Sequence, residues 1–265
     1  MKKFFILYFL CSFALISNAQ TGLHVGPKMF AGASFIFPQN SGELLANVPD
    51  SLIQLSELGY NLKFAYFFGG SALYNFRRDI GVQMDILYFS GGQKYSDVFC
   101  LSCAERYEIE KNINLKQLII PVMFKYTFGR SAYLKGYAMG GPYFGITIAG
   151  TEYGLIQTIN NATNANVNVF RSERSVLDAI RPFDLGFNFE SGLNIYLAQK
   201  VYVSTGLTTS VSFFDINSSN VIKIVSKNDN SYTGARNVRL GFTVGLNFVI
   251  WNNIERTNKW LKGGF

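Results

Sequence analysis

Residues 183–213 carry a two-residue period that leaves few folds open. Phe183, Leu185, Phe187, Phe189, Leu193 and Ile195 alternate with Asp184, Gly186, Asn188, Glu190, Gly192 and Asn194. After Ala198, Gln199 and Lys200 the pattern resumes. Val201, Val203, Thr205, Leu207, Thr209, Val211 and Phe213 then lie opposite Tyr202, Ser204, Gly206, Thr208, Ser210 and Ser212. Successive side chains of a strand point to opposite faces, so the stretch predicts a hairpin with one apolar and one polar face. Each arm has about a dozen residues, beyond the usual 5–6 of a globular strand and enough for the roughly 9–11 tilted residues that cross a bilayer. The polar face is mostly Gly, Asn, Ser and Thr, with few of the Lys and Glu that solvate an exterior. Small polar groups suit a narrow lumen and a continuous Phe/Leu/Val face suits lipid, which predicts part of a transmembrane β-barrel.

The same two-sided pattern recurs at 22–37, 59–68, 79–89, 112–128, 133–148 (with poor contrast, rich in Gly and Tyr) and 237–250. Within 112–128 the apolar set moves from odd positions (Ile113, Leu115) to even ones (Leu118, Ile120, Val122, Phe124, Tyr126), which predicts a bulge near Lys116 and Gln117. The expected fold is all-β: an eight-stranded antiparallel transmembrane barrel. Its connections alternate, long at 38–58, 90–111, 149–182 and 214–236 and short at 69–78, 129–132 and 196–200. Outer-membrane barrels have this arrangement, with long loops outside and short turns in the periplasm. Residues 51–54 and 175–180 read as short helices within loops, and the Asn-rich tract 160–168 as a mobile one.

Lys2 and Lys3 precede an apolar run from Phe4 to Ile16 and then Ser17, Asn18 and Ala19, a signal-peptide pattern with cleavage after Ala19. Residues 20–250 would form the barrel and 251–265 a periplasmic tail. Loss of Lys2 and Lys3 leaves 22 basic against 17 acidic residues, a scattered net charge of +5 that does not imply nucleic acid. Aromatic content of 16% and 25 glycines are unusual for a soluble enzyme and expected of lipid-facing girdles and crowded strands. Cys100 and Cys103 form a Cys-x-x-Cys pair. With His24 the only histidine, zinc lacks further ligands, and the expectation is a local loop disulfide.

Several stretches resemble the PorT-like outer-membrane β-barrel family of Gram-negative bacteria. They are Gly81-Val-Gln-Met-Asp-Ile-Leu-Tyr88 followed by Gly91-Gly92, Leu118-Ile-Ile-Pro-Val-Met-Phe-Lys125, Gly140-Gly-Pro-Tyr-Phe144 and the strand from Arg239 to Phe248. The resemblance implies an eight-stranded barrel of the outer membrane protein beta-barrel domain type; a secretion role is not carried over with it. Such barrels usually end with their last strand, whereas this chain continues for residues 251–265. The assembly signal is therefore expected inside the chain, at Thr243, Gly245, Phe248 and Ile250.

A catalytic triad needs a base beside a nucleophile, and His24 falls near the periplasmic start of the first strand. Inward-facing charges are expected at Lys28, Lys63, Asp85, Lys125, Asp184, Glu190 and Arg239, and buried charges require partners. The lumen of an eight-stranded barrel is just wide enough for side chains to fill, so these residues predict ion pairs, with Glu190 meeting Lys28 or Lys63 at mid-depth. The functional expectation is a non-enzymatic cell-envelope component without cofactor. Its partners would be outer-membrane lipid, the barrel-assembly machinery and an envelope or secretion-complex protein. An outer-membrane enzyme working at the outer rim and a soluble lipocalin-like binder are the alternatives.

Overall fold

Lipid offers no hydrogen-bond partner to a backbone, so strands that cross a bilayer have to pair on both edges and close on themselves. The computed structural model describes residues 22–37, 59–77, 79–102, 105–131, 133–160, 163, 166–198, 200–217 and 234–252. Among them are β1 (Gly22–Phe37), β2 (Gly59–Asn61), β3 (Lys63–Asn75), β4 (Ile80–Ser102), β5 (Glu105–Phe128), β6 (Leu134–Asn160), β7 (Asn166–Ser175), β8 (Phe183–Ala198), β9 (Val201–Ser212) and β10 (Arg236–Asn252). In space β4, β3, β1, β10, β9, β8, β6 and β5 follow one another, and β5 pairs back onto β4 to close a ring of eight antiparallel strands. Short β2 adds to the upper part of β4, and β7 to the upper part of β6.

The alternation sorts the side chains as expected. Met29, Phe64, Phe68, Ile86, Phe124, Phe189, Phe242 and Val244 lie exposed on the outside of the ring, while Lys28, Asp85, Lys125, Glu190 and Arg239 are buried inside it. A lipocalin-like binder would have the reverse. On β5 the outward positions are apolar from Leu118 to Phe128. At about 3.4 Å per residue and a tilt near 40° that is roughly 26 Å of height, matching the ~25 Å apolar band of outer-membrane barrels.

Above this band the loops expected at 90–111 and 149–182 are instead largely strand. β4 and β5 stay paired up to Ser102 and Glu105, and β6 continues to Asn160 with β7 folded back along it. These extensions form an extracellular blade. Within the Asn-rich tract, Asn160 ends β6, and Asn166 and Asn168 of β7 pair with Ile159 and Thr158 of β6. Two differences hide these extensions from the sequence pattern. Polar outward residues such as Lys94, Glu110 and Asn112 replace the greasy face, and inward positions turn apolar (Tyr95, Ile109, Ile113, Leu115).

The inversion also moves the expected bulge. Inward burial runs without a break along odd positions of β5 from Ile109 to Lys125, so that strand keeps its phase. The register shift at Lys116 and Gln117 comes from the opposite strand, where Lys116 faces Ala149 and Gln117 faces Thr147. Ile148 of β6 is the extra residue, 52% exposed, and beyond it the buried positions of β6 change from odd to even.

Gly92 marks where β4 leaves the band. Its φ of +136° is one that L side chains rarely adopt, and an added Cβ would lie 2.0 Å from the Ile113 carbonyl oxygen. Ser34 clamps the bend: its Oγ accepts from the Gly92 amide at 2.7 Å and donates to the Gly92 carbonyl at 2.8 Å.

Other expected boundaries shift in detail. The turn placed at 69–78 is shorter because β3 runs to Asn75, and the helix expected at 175–180 is a single 3₁₀ turn, Leu177–Ala179. β10 takes in Trp251 and Asn252. The signal peptide, the helix at 51–54, Cys103 and the remainder of the tail lie outside the described residues; Cys100 sits in β4 opposite Arg106.

Candidate functional site: a filled lumen under an extracellular blade

The interior is organised in tiers. At the periplasmic end His24 of β1 shares a hydrogen bond between Nδ1 and the Tyr202 hydroxyl (2.9 Å), and Asn75 Nδ2 lies 3.4 Å from its Nε2. Tyr202 packs on Tyr196. A phenol and an amide thus occupy the two ring nitrogens of the histidine weighed above as a base.

The next tier holds the mid-depth charges. Lys28 Nζ lies 2.9 Å from Asp85 Oδ2 and 2.8 Å from Glu190 Oε2, both pairs almost fully buried. Tyr137 donates its hydroxyl to Glu190 Oε1 (2.7 Å), and Gln83 donates to Asp85 Oδ1 (2.8 Å). Lys125 places its ammonium 4.4 Å from the centre of the Tyr137 ring. Lys63 does not join this group. Strand register sets it opposite Ser34, six residues above the Gly69 that faces Lys28, and there it donates to Asn112 (2.5 Å), Asn114 and the Ile113 carbonyl.

Above comes Arg239, its guanidinium 4.5 Å from the Phe89 ring and 5.1 Å from the Tyr143 ring. It donates to Gln117 Oε1 (2.7 Å) and Asp184 Oδ2 (3.3 Å), and Asp184 also accepts from Tyr143 (3.0 Å) and Ser212. Between these two tiers a cavity of about 20 Å³, lined by Lys28, Asp85, Asn188, Ser210 and Arg239 among others, has room for about one water.

Among the described residues, apolar side chains fill the outer mouth. Ile36, Tyr95, Ile109, Ile113, Leu115, Val176, Ile180 and Ile216 pack into one buried apolar cluster. The segments after β7 and β9 are tied over it by Val176 N–H to Gly150 O (3.0 Å), Arg181 N–H to Ile216 O (2.8 Å) and Ile216 N–H to Ala235 O (2.7 Å). On the inner face of the blade, Glu152 joins Lys111 (3.0 Å) to Arg174 (3.1 Å). Burial pushes the Lys111 amine down to about 8, with Glu152 opposing and Arg174 adding to the shift.

Of the expected assembly-signal residues, Thr243 and Gly245 face inward on β10, and Phe248 and Ile250 face outward and are exposed. Sequence reasoning missed Tyr137, Tyr143 and Gln117, which supply most partners of the buried charges, and the Lys111–Glu152–Arg174 group. The Tyr residues carried a signal: Tyr137, Met139 and Tyr143 stand at odd positions while Ala138, Gly140 and Pro142 stand at even ones, so the bulky residues of 137–143 look inward.

Comparison with known proteins agrees with this architecture. The model of a family described as outer membrane protein beta-barrel domain matches residues 18–212. Similar solved structures include the N-terminal β-barrel domain of Pseudomonas aeruginosa OprF, at 13% identity over 86% of this chain and 99% of that one (TM-score 0.34). Neisserial surface protein A is 12% identical over 87% and 99% (TM-score 0.35), and Pseudomonas aeruginosa OprG 10% over 88% and 97% (TM-score 0.36). At such identities and TM-scores the family match carries the comparison. No curated protein matches in sequence.

Proposed function

The chain belongs to the outer membrane protein beta-barrel domain family and resides in the outer membrane, and we propose that it serves there as a sealed, non-enzymatic barrel that holds a rigid blade outside the cell for an envelope partner to bind. One observation carries this reading. The strands that cross lipid continue without a break into the blade, while the lumen they enclose is filled by paired charges and capped by apolar side chains. A channel needs a continuous wet path, and an enzyme of the outer rim needs catalytic groups gathered there. The interior groups described instead pair with one another, and His24 is engaged at the opposite, periplasmic end. The narrower PorT-like resemblance adds a secretion-complex protein to the candidate partners. Lipid around the ring and the barrel-assembly machinery acting on β10 complete the set.

The test is co-purification from detergent-solubilised outer membranes, comparing the native chain with one in which the upper parts of β6 and β7 are replaced by a short turn. A partner found with the native chain and lost from the shortened one supports the platform. Identical protein sets from both, with both barrels shown to be folded, would refute it.

A further inference from the structure

The outer face of the blade, opposite the Lys111–Glu152–Arg174 group, carries a groove of about 430 Å³ that the family relationship does not explain. It is built across three strands in two adjacent rows. Register sets Glu110 of β5 beside Leu155 of β6 and Arg171 of β7, and Asn112 beside Tyr153 and Glu173. Beyond the Ile148 bulge the odd residues of β6 face outward, so Tyr153 and Leu155 join the even residues of β5 on one surface. Tyr153 is 41% exposed in the midst of polar groups.

We infer that this groove binds an uncharged sugar ring of the glycolipid in the outer leaflet, a reading that rests on the blade standing outside the membrane as proposed above. Four features converge. An exposed aromatic face packs well against the apolar C–H face of a pyranose. Two carboxylates and a guanidinium supply the paired acceptors and donors that adjacent hydroxyls require, and Asn112, whose Oδ1 accepts from Lys63, adds its amide N–H. The lining charges nearly balance: Lys94 lies 3.4 Å from Glu110, Arg171 and Glu173 stand two residues apart on β7, and the Lys63 ammonium is taken up by Asn112, Asn114 and the Ile113 carbonyl. Such a site disfavours a phosphate or sulfate group. The volume falls within the roughly 300–1,000 Å³ of ligand sites.

Height selects the source of the sugar. Asn112 lies six residues above Leu118 and Tyr153 five above Ile148, where the apolar band ends on their strands. At about 3.4 Å per residue and a 40° tilt, the groove stands on the order of 10–20 Å outside the apolar band. The sugars of an outer-leaflet glycolipid occupy that layer. The Lys111–Glu152–Arg174 group on the other face, with Lys111 and Glu152 buried and Arg174 exposed, links the same three strands, which limits the ordering cost of binding.

The test uses the full chain in a detergent without a sugar headgroup and saturation-transfer NMR with three probes. These are lipid-free core oligosaccharide released from lipopolysaccharide, methyl β-D-glucopyranoside and inorganic phosphate. The core oligosaccharide is expected to receive saturation, with affinity falling at least tenfold in Tyr153→Ala and in Glu173→Gln and unchanged in Phe189→Leu on the lipid face; phosphate is expected to receive none. No transfer to the oligosaccharide, or transfer undiminished in Tyr153→Ala, overturns the site. Binding of the free glucoside as tight as that of the core would assign the groove to soluble sugars and overturn the glycolipid as its occupant. Gel mobility with and without heating and protease resistance of the blade verify that each variant is folded. Absence of sugar binding by the native chain, with the envelope partner still co-purifying, would defeat this inference and leave the platform intact.

Discussion

At the scale of single residues, the lumen is a set of mutually dependent charges. Lys28 satisfies two carboxylates at once, and each carboxylate has a second donor in Tyr137 or Gln83. Removing one member of a buried pair strands the other, at a cost of about 3–5 kcal/mol. Glu190→Leu is therefore expected to lower the temperature at which the barrel loses its compact gel mobility, and Lys28→Met to lower it further because two acids are left. Phe189→Leu, one residue away on the lipid face, should change little. Combining Lys28→Met with Glu190→Leu should recover part of the summed loss. A Glu190→Leu protein melting like the parent would mean that this pair contributes nothing to stability.

At the scale of elements, the bulge and the blade belong together. Ile148 sets the phase of everything above it on β6, bringing Glu152 inward to Lys111 and Tyr153 outward. A one-residue slip turns every side chain to the other face. Deleting Ile148 is expected to leave the heat-dependent mobility shift in place while making the blade far more sensitive to protease on intact cells; equal resistance would show that the shift is not needed. Lys111 adds a pH dependence. Its amine titrates at about 8 in the fold against 10.5 when free, so between these values the unfolded blade holds the extra proton and blade stability rises with pH. The urea concentration at which protease cuts the blade should climb over that window, and Lys111→Met should flatten the climb. The membrane-crossing parts of β1, β8, β9 and β10 were legible in the sequence because lipid imposes a clean alternation on them. The blade was not, because water outside and an apolar cluster within reverse the pattern. Inward charges were legible residue by residue, whereas the depth of Lys63 depended on register between β1 and β3, which pairing fixes and a single strand does not reveal.

At the scale of the molecule, eight strands close a ring whose described side chains fill its interior in tiers: His24 and Tyr202 below, the Lys28 and Arg239 tiers in the middle, and the Tyr95–Ile113–Leu115 cluster above. On the platform reading the ring holds the blade steady and conducts no ions. That distinguishes a platform from a pore, and the most direct measurement is the electrical conductance of the purified, folded protein inserted in a planar lipid bilayer. The expected record stays at the leak of the bare membrane over a range of voltages, with insertion verified separately by protease protection of the reconstituted barrel. Reproducible, stepwise ion conductance by the native chain would contradict the sealed lumen and with it the reading of this protein as a platform.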